Sequence, residues 1–166
     1  MGFFNRLLGN SEKESEQVMI DEDWFSEICD AISSHSDSAR VDYGDAQRLE
    51  VVGESFYQDN LQKIAGGKPG GELGWMSGFL VPEPFNEFDS NAVAVYVILE
   101  SKEGFEGLKV GHLPKMMAAR TQLEIGKKLA QEKKLIPLLV YLIGGTPEKP
   151  NYGVDATAKT DDIDFY

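Results

Sequence analysis

The segment FNEFDSN, residues 85–91, mixes aromatic rings with short polar side chains directly before an apolar stretch. Asn86, Phe88 and Asp89 supply an amide, a ring and a carboxylate, and the residues that follow alternate as in a strand. Asp and Asn are typical of turns, because their side chains bond nearby backbone donors. A turn does not require phenylalanine, whereas a surface on which bases stack does, so both interpretations stay open.

Comparable residue types occur at the ends of other predicted strands: Phe56, Tyr57, His112, Lys115 and Tyr152. Rings can stack on bases and cations can neutralise phosphates, so the pattern is typical of a single-stranded nucleic-acid site. Each residue also has a structural interpretation. Phe56 and Phe88 could belong to the core, Tyr57 and Tyr152 to an ordinary surface, His112 to a hydrogen bond and Lys115 to solvent.

Motifs of common enzymes are absent from the sequence, which has no GxSxG, no GxxxxGK phosphate loop and no HExxH. Glu83, Glu87 and Asp89 could gather a divalent cation, as in a metal-dependent nuclease, although Pro84 lies between these acids. We expect a protein that is not an enzyme and that uses neither a metal nor a cofactor.

The 166 residues are 42% hydrophobic and 27% charged, which is ordinary for a soluble globular protein. No apolar run reaches the ~20 residues that a membrane span needs. Cys29 is the single cysteine, so an intrachain disulfide and a cysteine zinc site are excluded, and a cytoplasmic location fits. Residues 1–9 make a poor secretory signal, and their contact with a membrane surface stays open.

The net charge of −12 is distributed unevenly. Residues 1–50 hold 12 acids and 4 bases, and residues 151–166 hold 4 acids and 1 base. The sign reverses between positions 109 and 134, which predicts a basic ridge: Lys109, Lys115, Arg120, Lys127, Lys128, Lys133 and Lys134. The overall acidity argues against a nucleic-acid partner, whereas the ridge favours one.

Composition and periodicity divide the chain into three parts. Residues 1–46 form an acidic N-terminal extension, with a linker over 10–22 and a helix around 22–33. Residues 47–158 form one β-rich domain, and residues 159–166 form an acidic C-terminal tail.

About six short strands are predicted in the domain, with helices after the first and the fourth. Because strands and helices do not alternate regularly, we expect a mainly β (α+β) fold, a small and mostly antiparallel barrel or curled sheet. The second helix begins at Pro114, and its apolar residues are expected to face inward: Met116, Met117, Leu123 and Leu129.

Three stretches, VVGESFYQDN (51–60), EPFNEFDSNAVAVYV (83–97) and VGHLPKMMA (110–118), resemble a HIRAN domain in their order and motifs. The resemblance covers residues 48–158, and the pattern N-x-[YF]-D-x-N-A-[VI] is its most specific part. HIRAN domains are small OB-like β-barrels, found at the N-terminus of the helicase-like transcription factor and as free-standing proteins in bacteria and phages. The resemblance therefore implies a six-stranded barrel with two helices.

The resemblance also implies non-catalytic binding of single-stranded DNA, particularly at a 3′ end, in repair, replication or mobile-element processes. By position, Phe56 and Phe88 would hold the terminal base, and Asp89 would accept a hydrogen bond from the 3′-hydroxyl. The remaining implied DNA contacts are Tyr57, Asn86, His112, Lys115 and Tyr152. The chain departs from the family at Ser55, where DNA-binding members have a basic residue, and both ring positions carry Phe in place of Tyr.

Two other functions remain open on the sequence. The acidic N-terminal helix and tail could dock a protein partner, in a module whose DNA site has degenerated. Alternatively, the acidic segment 12–30 could lie over the basic ridge and mimic DNA within the same chain.

Overall fold

The computed structural model describes residues 47–102, 104–132, 135–158 and 163–166, together with the backbone of Gln17–Ile20 and positions 23 and 26. Apart from those two positions, the helix predicted around 22–33 lies outside the described residues. Cys29, residues 1–9, and Lys133 and Lys134 of the predicted ridge also lie outside them.

Seven strands form one sheet in which every neighbouring pair is antiparallel. The strands are β1 Gln17–Ile20, β2 Gln47–Glu50, β3 Trp75–Pro82, β4 Val93–Ser101, β5 Gly104–His112, β6 Ile136–Gly144 and β7 Tyr152–Ala158. Their order across the sheet is β1-β5-β4-β3-β6-β7-β2. The predicted fold class, mostly antiparallel β with two helices, is confirmed.

The middle of the sheet is covered on both faces. Val93–Val97 are five consecutive buried residues of β4, a pattern that arises when both sides of a strand are packed. Phe79 of β3 lies opposite Tyr96 of β4, and their nearly parallel rings stack with centroids 5.3 Å apart. The aromatic and branched side chains of this segment therefore fix the frame from which the neighbouring loops project.

Two helices lie where the sequence predicts them. Helix α1, Gln58–Ala65, buries Leu61 and Ile64 and ends at Gly66, whose left-handed conformation is available to glycine at little cost. Helix α2, Lys115–Lys127, follows Pro114 and continues into a π-helical turn over Lys128–Glu132. Met117 and Leu129 are buried as expected.

Met116 and Leu123, which were expected to face inward, are exposed. Helix α2 instead turns Ala118, Thr121 and Ile125 toward the protein.

The sequence predicts a barrel or curled sheet. In the structure the strand ladders leave a gap between β2 and β5, so the sheet is not closed by strand pairing. A single bridge crosses the gap, in which Val52 and His112 exchange hydrogen bonds of 2.8 and 2.9 Å. Pairing stops there because Gly53, at φ 80°, turns the chain directly after Val52. Gly111 allows this approach, since a Cβ at that position would lie 2.6 Å from the Val51 side chain.

Part of the predicted N-terminal linker belongs to the sheet. Gln17–Ile20 form β1 and pair with residues 105–108 of β5. Val18, Met19 and Ile20 are apolar, but three such residues within a polar and acidic stretch are too short a pattern to distinguish an edge strand from a linker.

The end of the predicted C-terminal tail packs into the protein. Ile163 and Phe165 are buried, and the amide of Gln47 donates to the Ile163 carbonyl and accepts from the Phe165 N–H, at 2.9 and 3.0 Å. Arg120 donates to the carbonyl of Tyr166 at 2.8 Å. Residues 163–166 therefore pack against the domain that the sequence assigns to 47–158.

Replacing Phe165 tests this packing. We expect Phe165→Ala to lower the free energy of unfolding by about 3 kcal/mol, because it removes a fully buried ring and leaves a cavity. Urea denaturation measures the change. Asp164→Asn is the matched control, since Asp164 is exposed and its replacement should change stability by less than ~0.5 kcal/mol. Equal effects of the two substitutions would contradict the packed position of Phe165.

Candidate functional site

The polar segment before β4 is a compact loop, residues 83–92, closed by backbone hydrogen bonds. The N–H of Glu83 donates to the Ala92 carbonyl at 2.8 Å, and that of Ala92 donates to the Asp89 carbonyl at 3.0 Å. Between them, Asn86 N–H donates to Glu83 across a turn that has Pro84 at its second position, where proline is favoured.

Asn86 organises the inside of this loop. Its side-chain oxygen accepts from the N–H groups of Phe88 and Asp89 at 2.9 and 3.1 Å, and its side-chain nitrogen donates to Glu83 at 3.0 Å. Asp89 does the same for the next turn, because its Oδ1 accepts from the Asn91 N–H at 2.9 Å. The turn interpretation of these residues is thus confirmed, and the loop is held by side chains as well as by backbone.

Three phenylalanine rings project from the loops into solvent. Phe85 and Phe88 of the 83–92 loop are 74% and 91% exposed, and Phe56 is 85% exposed. Phe56 lies in a short 3-10 turn, Glu54–Tyr57, which begins directly after Gly53. The alternative that Phe56 and Phe88 are core residues is therefore wrong.

A largely buried carboxylate lies at the start of the 83–92 loop. Glu83 follows the end of β3, and its Oε1 accepts a hydrogen bond from Lys109 Nζ of β5. Its Oε2 lies 2.8 Å from His112 Nε2 and also accepts from Asn86. We call these four residues the Glu83 cluster; the Lys109 side chain in it is nearly inaccessible to solvent.

The electrostatics of the cluster keep Glu83 ionised. Burial by itself raises the pKa of the Glu83 carboxyl, but hydrogen bonds and charge from His112 and Lys109 outweigh it. The net result lowers the pKa of Glu83 from its ordinary 4.5 to about 2. Glu83 is therefore an anion that accepts hydrogen bonds and donates none at neutral pH.

A strand irregularity brings Lys109 and His112 to the same carboxylate. Residues three apart on a regular strand point to opposite faces. In β5, Gly111 pairs with Val95 and Lys109 pairs with Tyr96, so that Val110 is an extra, bulged residue. The bulge changes the alternation, and both side chains reach Glu83.

The cluster also contacts the turn that carries Phe56. The Tyr57 ring lies 6.0 Å from the His112 ring, centroid to centroid, and Lys109 Nζ lies 5.6 Å from the Tyr57 centroid. This is cation–π distance. The two loops that display phenylalanines therefore both contact one charged cluster.

The predicted site residues other than Tyr152 fall into three groups in the structure. The first group touches the Glu83 cluster or belongs to it: Tyr57, Asn86 and His112. The second group lies on the loops that adjoin the cluster: Phe56, Phe88 and Asp89. Lys115 is exposed at the first residue of α2, three positions after His112.

Tyr152, the remaining predicted site residue, is buried at the start of β7. Its ring is 9% exposed, its hydroxyl donates to the Lys68 carbonyl at 2.8 Å, and its backbone pairs with the Gln58 side chain. The ring is engaged in the fold, which conflicts with its prediction as a further stacking surface.

Two members of the cluster, Glu83 and Lys109, were not predicted as site residues. The signal for Lys109 was available, because a lysine between the apolar residues of a strand needs a buried partner. Its burial also corrects the predicted basic ridge, from which Lys109 is missing. Within the ridge, Lys127 pairs with Glu124 at 3.0 Å.

The metal site considered for Glu83, Glu87 and Asp89 does not form. Both oxygens of Glu83 are bonded within the cluster, and no group of three or more His, Cys, Asp or Glu among the described residues could hold a metal ion. In the part of the chain that the structure describes, no helix is long and apolar enough to cross a membrane.

No protein-family model matches the chain, and no curated protein matches it. Solved structures to which it is similar include the HIRAN domain of human HLTF, at 19% identity over 69% of this chain and 74% of that one, with a TM-score of 0.39. They also include a protein from Lactobacillus plantarum, at 17% identity over 68% and 92%, with a TM-score of 0.40.

Replacing Glu83 tests the cluster. Its lowered pKa means that Glu83 stabilises the fold above pH ~4.5 and that this contribution is lost as the pH falls toward ~2. We expect Glu83→Gln to lower the free energy of unfolding at pH 7 by on the order of 3 kcal/mol, and to flatten its decline between those pH values. Urea denaturation across this range measures both effects.

Glu87→Gln is the control, because Glu87 is exposed on the same loop. A pH dependence that survives unchanged in Glu83→Gln would assign the acid-sensitive stability to another carboxylate.

Proposed function

We propose that this chain is a non-catalytic module that binds single-stranded DNA, with a preference for a 3′ end. The observation that carries the proposal is the outward display of Phe56 and Phe88 on two hydrogen-bonded loops that both contact the Glu83 cluster. The HIRAN-like motif at 86–93 supports the same function. The processes it would serve are DNA repair, replication or the movement of mobile elements.

Exposed phenylalanines are unfavourable in a fold without a ligand, since burial of apolar surface stabilises proteins. The backbone of the 83–92 loop, which carries Phe85 and Phe88, is held by the bonds of Asn86 and Asp89. Because this backbone is already ordered, binding costs less conformational entropy, and base stacking contributes ~1–3 kcal/mol per base without sequence preference. The arrangement suits bases presented by a flexible single strand.

Asp89 is placed to select the chemistry of the strand end. Its Oδ1 accepts one hydrogen bond from the backbone of the loop, and its side chain is half-buried. A carboxylate has lone pairs for further bonds, so its second oxygen can accept from a 3′-hydroxyl. The same negative charge repels a 3′-phosphate.

Cationic groups for the phosphates lie next to these residues. Lys115 is exposed at the start of α2, where the helix dipole also favours an anion. His112 is 22% exposed and borders the Tyr57 ring. Lys109 is not available to a phosphate, because Glu83 already neutralises it within the protein.

Fluorescence anisotropy with short 5′-labelled oligonucleotides tests end recognition. We expect tighter binding to a 3′-hydroxyl end than to a 3′-phosphate end. Asp89→Asn should remove this preference while keeping the loop, because the amide oxygen can still accept from Asn91. Phe88→Ala should weaken binding to both ends by about tenfold or more, the loss of one stacked base.

Trp75→Ala is the matched control for Phe88, since Trp75 is an exposed ring at the other end of β3 from the loop. A loss in Trp75→Ala equal to that in Phe88→Ala would contradict the assigned surface. Equal affinity of the native chain for both ends would limit the proposal to general single-strand binding.

A protein partner is the second candidate function. Exposed Met116 and Leu123 on α2 favour it, and Gln122 links this helix to the 83–92 loop through the Ser90 carbonyl at 2.9 Å. Large apolar side chains in solvent are typical of protein-binding surfaces as well as of stacking sites.

Salt dependence distinguishes the two partners. Binding to single strands should weaken with a slope of about −0.7 in log affinity against log salt for each neutralised phosphate. Lys115→Ala should make the slope shallower by about that amount, whereas Lys149→Ala, an exposed lysine between β6 and β7, should leave it unchanged. If the partner is a protein bound through apolar contacts, log affinity should change little with log salt in the native chain and in both variants.

A further inference from the structure

We infer that His112 hydrogen-bonds a DNA phosphate only when both of its ring nitrogens are protonated, so that DNA binding by this chain takes up a proton. The inference rests on the proposed function, because it takes a DNA phosphate as the ligand. It follows from the atoms that surround the imidazole.

The tautomer of neutral His112 is fixed by Glu83. The Nε2 atom lies 2.8 Å from Glu83 Oε2, and an ionised carboxylate can only accept hydrogen bonds. The carboxylate is held as an anion by Lys109 on its other oxygen. The Nε2 atom must therefore be the donor, and the single proton of the neutral ring lies on the side of Glu83.

The other ring nitrogen faces solvent. Among the described residues, no buried side-chain nitrogen or oxygen lacks a hydrogen-bond partner. Nδ1 of His112 has no hydrogen-bond partner among the described residues, so it is not a buried atom and water can reach it. It is the point at which the ring can meet a ligand.

Neutral His112 presents only a lone pair at Nδ1. Phosphate oxygens are acceptors as well, so the two atoms repel each other across a hydrogen-bond distance. A change of tautomer would place a proton on Nδ1, but it would also turn the Nε2 lone pair toward the Glu83 anion. Protonation of Nδ1 keeps the bond to Glu83 and adds a charged donor for the phosphate.

Charged groups of both signs lie around the ring. Glu83 contacts it at Nε2, and Lys109, three residues earlier on β5, holds the other oxygen of Glu83. Titratable side chains on the neighbouring elements include Glu54 and Tyr57 of the 3-10 turn, Asp59 and Lys63 of α1, Glu87 and Asp89 of the loop, and Lys115 of α2. Among these residue types histidine is the one whose charge ordinarily changes near neutral pH, so we assign the exchanged proton to the imidazole.

The experiment measures the affinity for a 3′-hydroxyl oligonucleotide from about pH 5.5 to about 8.5 at constant salt, a range that spans ordinary histidine titration. Uptake of one proton predicts that affinity falls with rising pH, approaching tenfold per pH unit on the alkaline side. His112→Asn should bind with little pH dependence, because its amide N–H takes the place of Nδ1 and does not titrate. His35→Gln, which replaces the other histidine in the chain, should keep the native slope.

Nitrogen-15 NMR of the DNA-free chain provides a second test that does not depend on the variants. It should find neutral His112 protonated at Nε2; protonation at Nδ1 would overturn the inference. Binding that is strong but independent of pH would overturn the inference and leave the proposed function intact. A slope that persists in His112→Asn would also overturn it, whereas no DNA binding at any pH would refute the proposed function itself.

Discussion

The ion pair between Glu83 and Lys109 is the interaction on which the site depends. A lysine inside a sheet is tolerated only with a charged partner, because an unpaired buried charge is strongly destabilising. Glu83 supplies the partner from the end of β3, and its second oxygen then holds His112 and Asn86. One carboxylate thereby connects the core of the sheet to the loop that displays Phe88.

The protein uses its aromatic residues in two distinct ways. Phe79, Tyr96 and Tyr152 are buried and fix the sheet. Phe56 and Phe88 lie on turns whose polar groups are bonded to one another, so the backbone has no need of the rings for its stability. The hydrogen-bonded turns explain how apolar side chains can remain exposed to solvent on an ordered surface. In the proposed function, a flat apolar ligand would stack on them.

The charge of the site differs from that of the chain. The sequence carries a net charge of −12, most of it outside the domain, while Lys109 is cancelled inside the Glu83 cluster. In the proposed function, long-range attraction of DNA would therefore be weak, and recognition would depend on stacking and on a few local donors. The inferred proton uptake at His112 would add positive charge where the phosphate is bound.

The sequence by itself determined the mostly antiparallel β class, the two helices, and the turn made by Asn86 and Asp89, since local propensity and side-chain bonding within a few residues decide these features. Whether Phe56 and Phe88 were exposed could not be predicted, because burial depends on what the rest of the chain places over a ring. The tertiary structure also decided the pairing of β1, the packing of Phe165 and the burial of Tyr152. It decided the Glu83 cluster as well, because a one-residue bulge at Val110 changes which face a side chain occupies, and this bulge arises only from the register in which β5 pairs with β4.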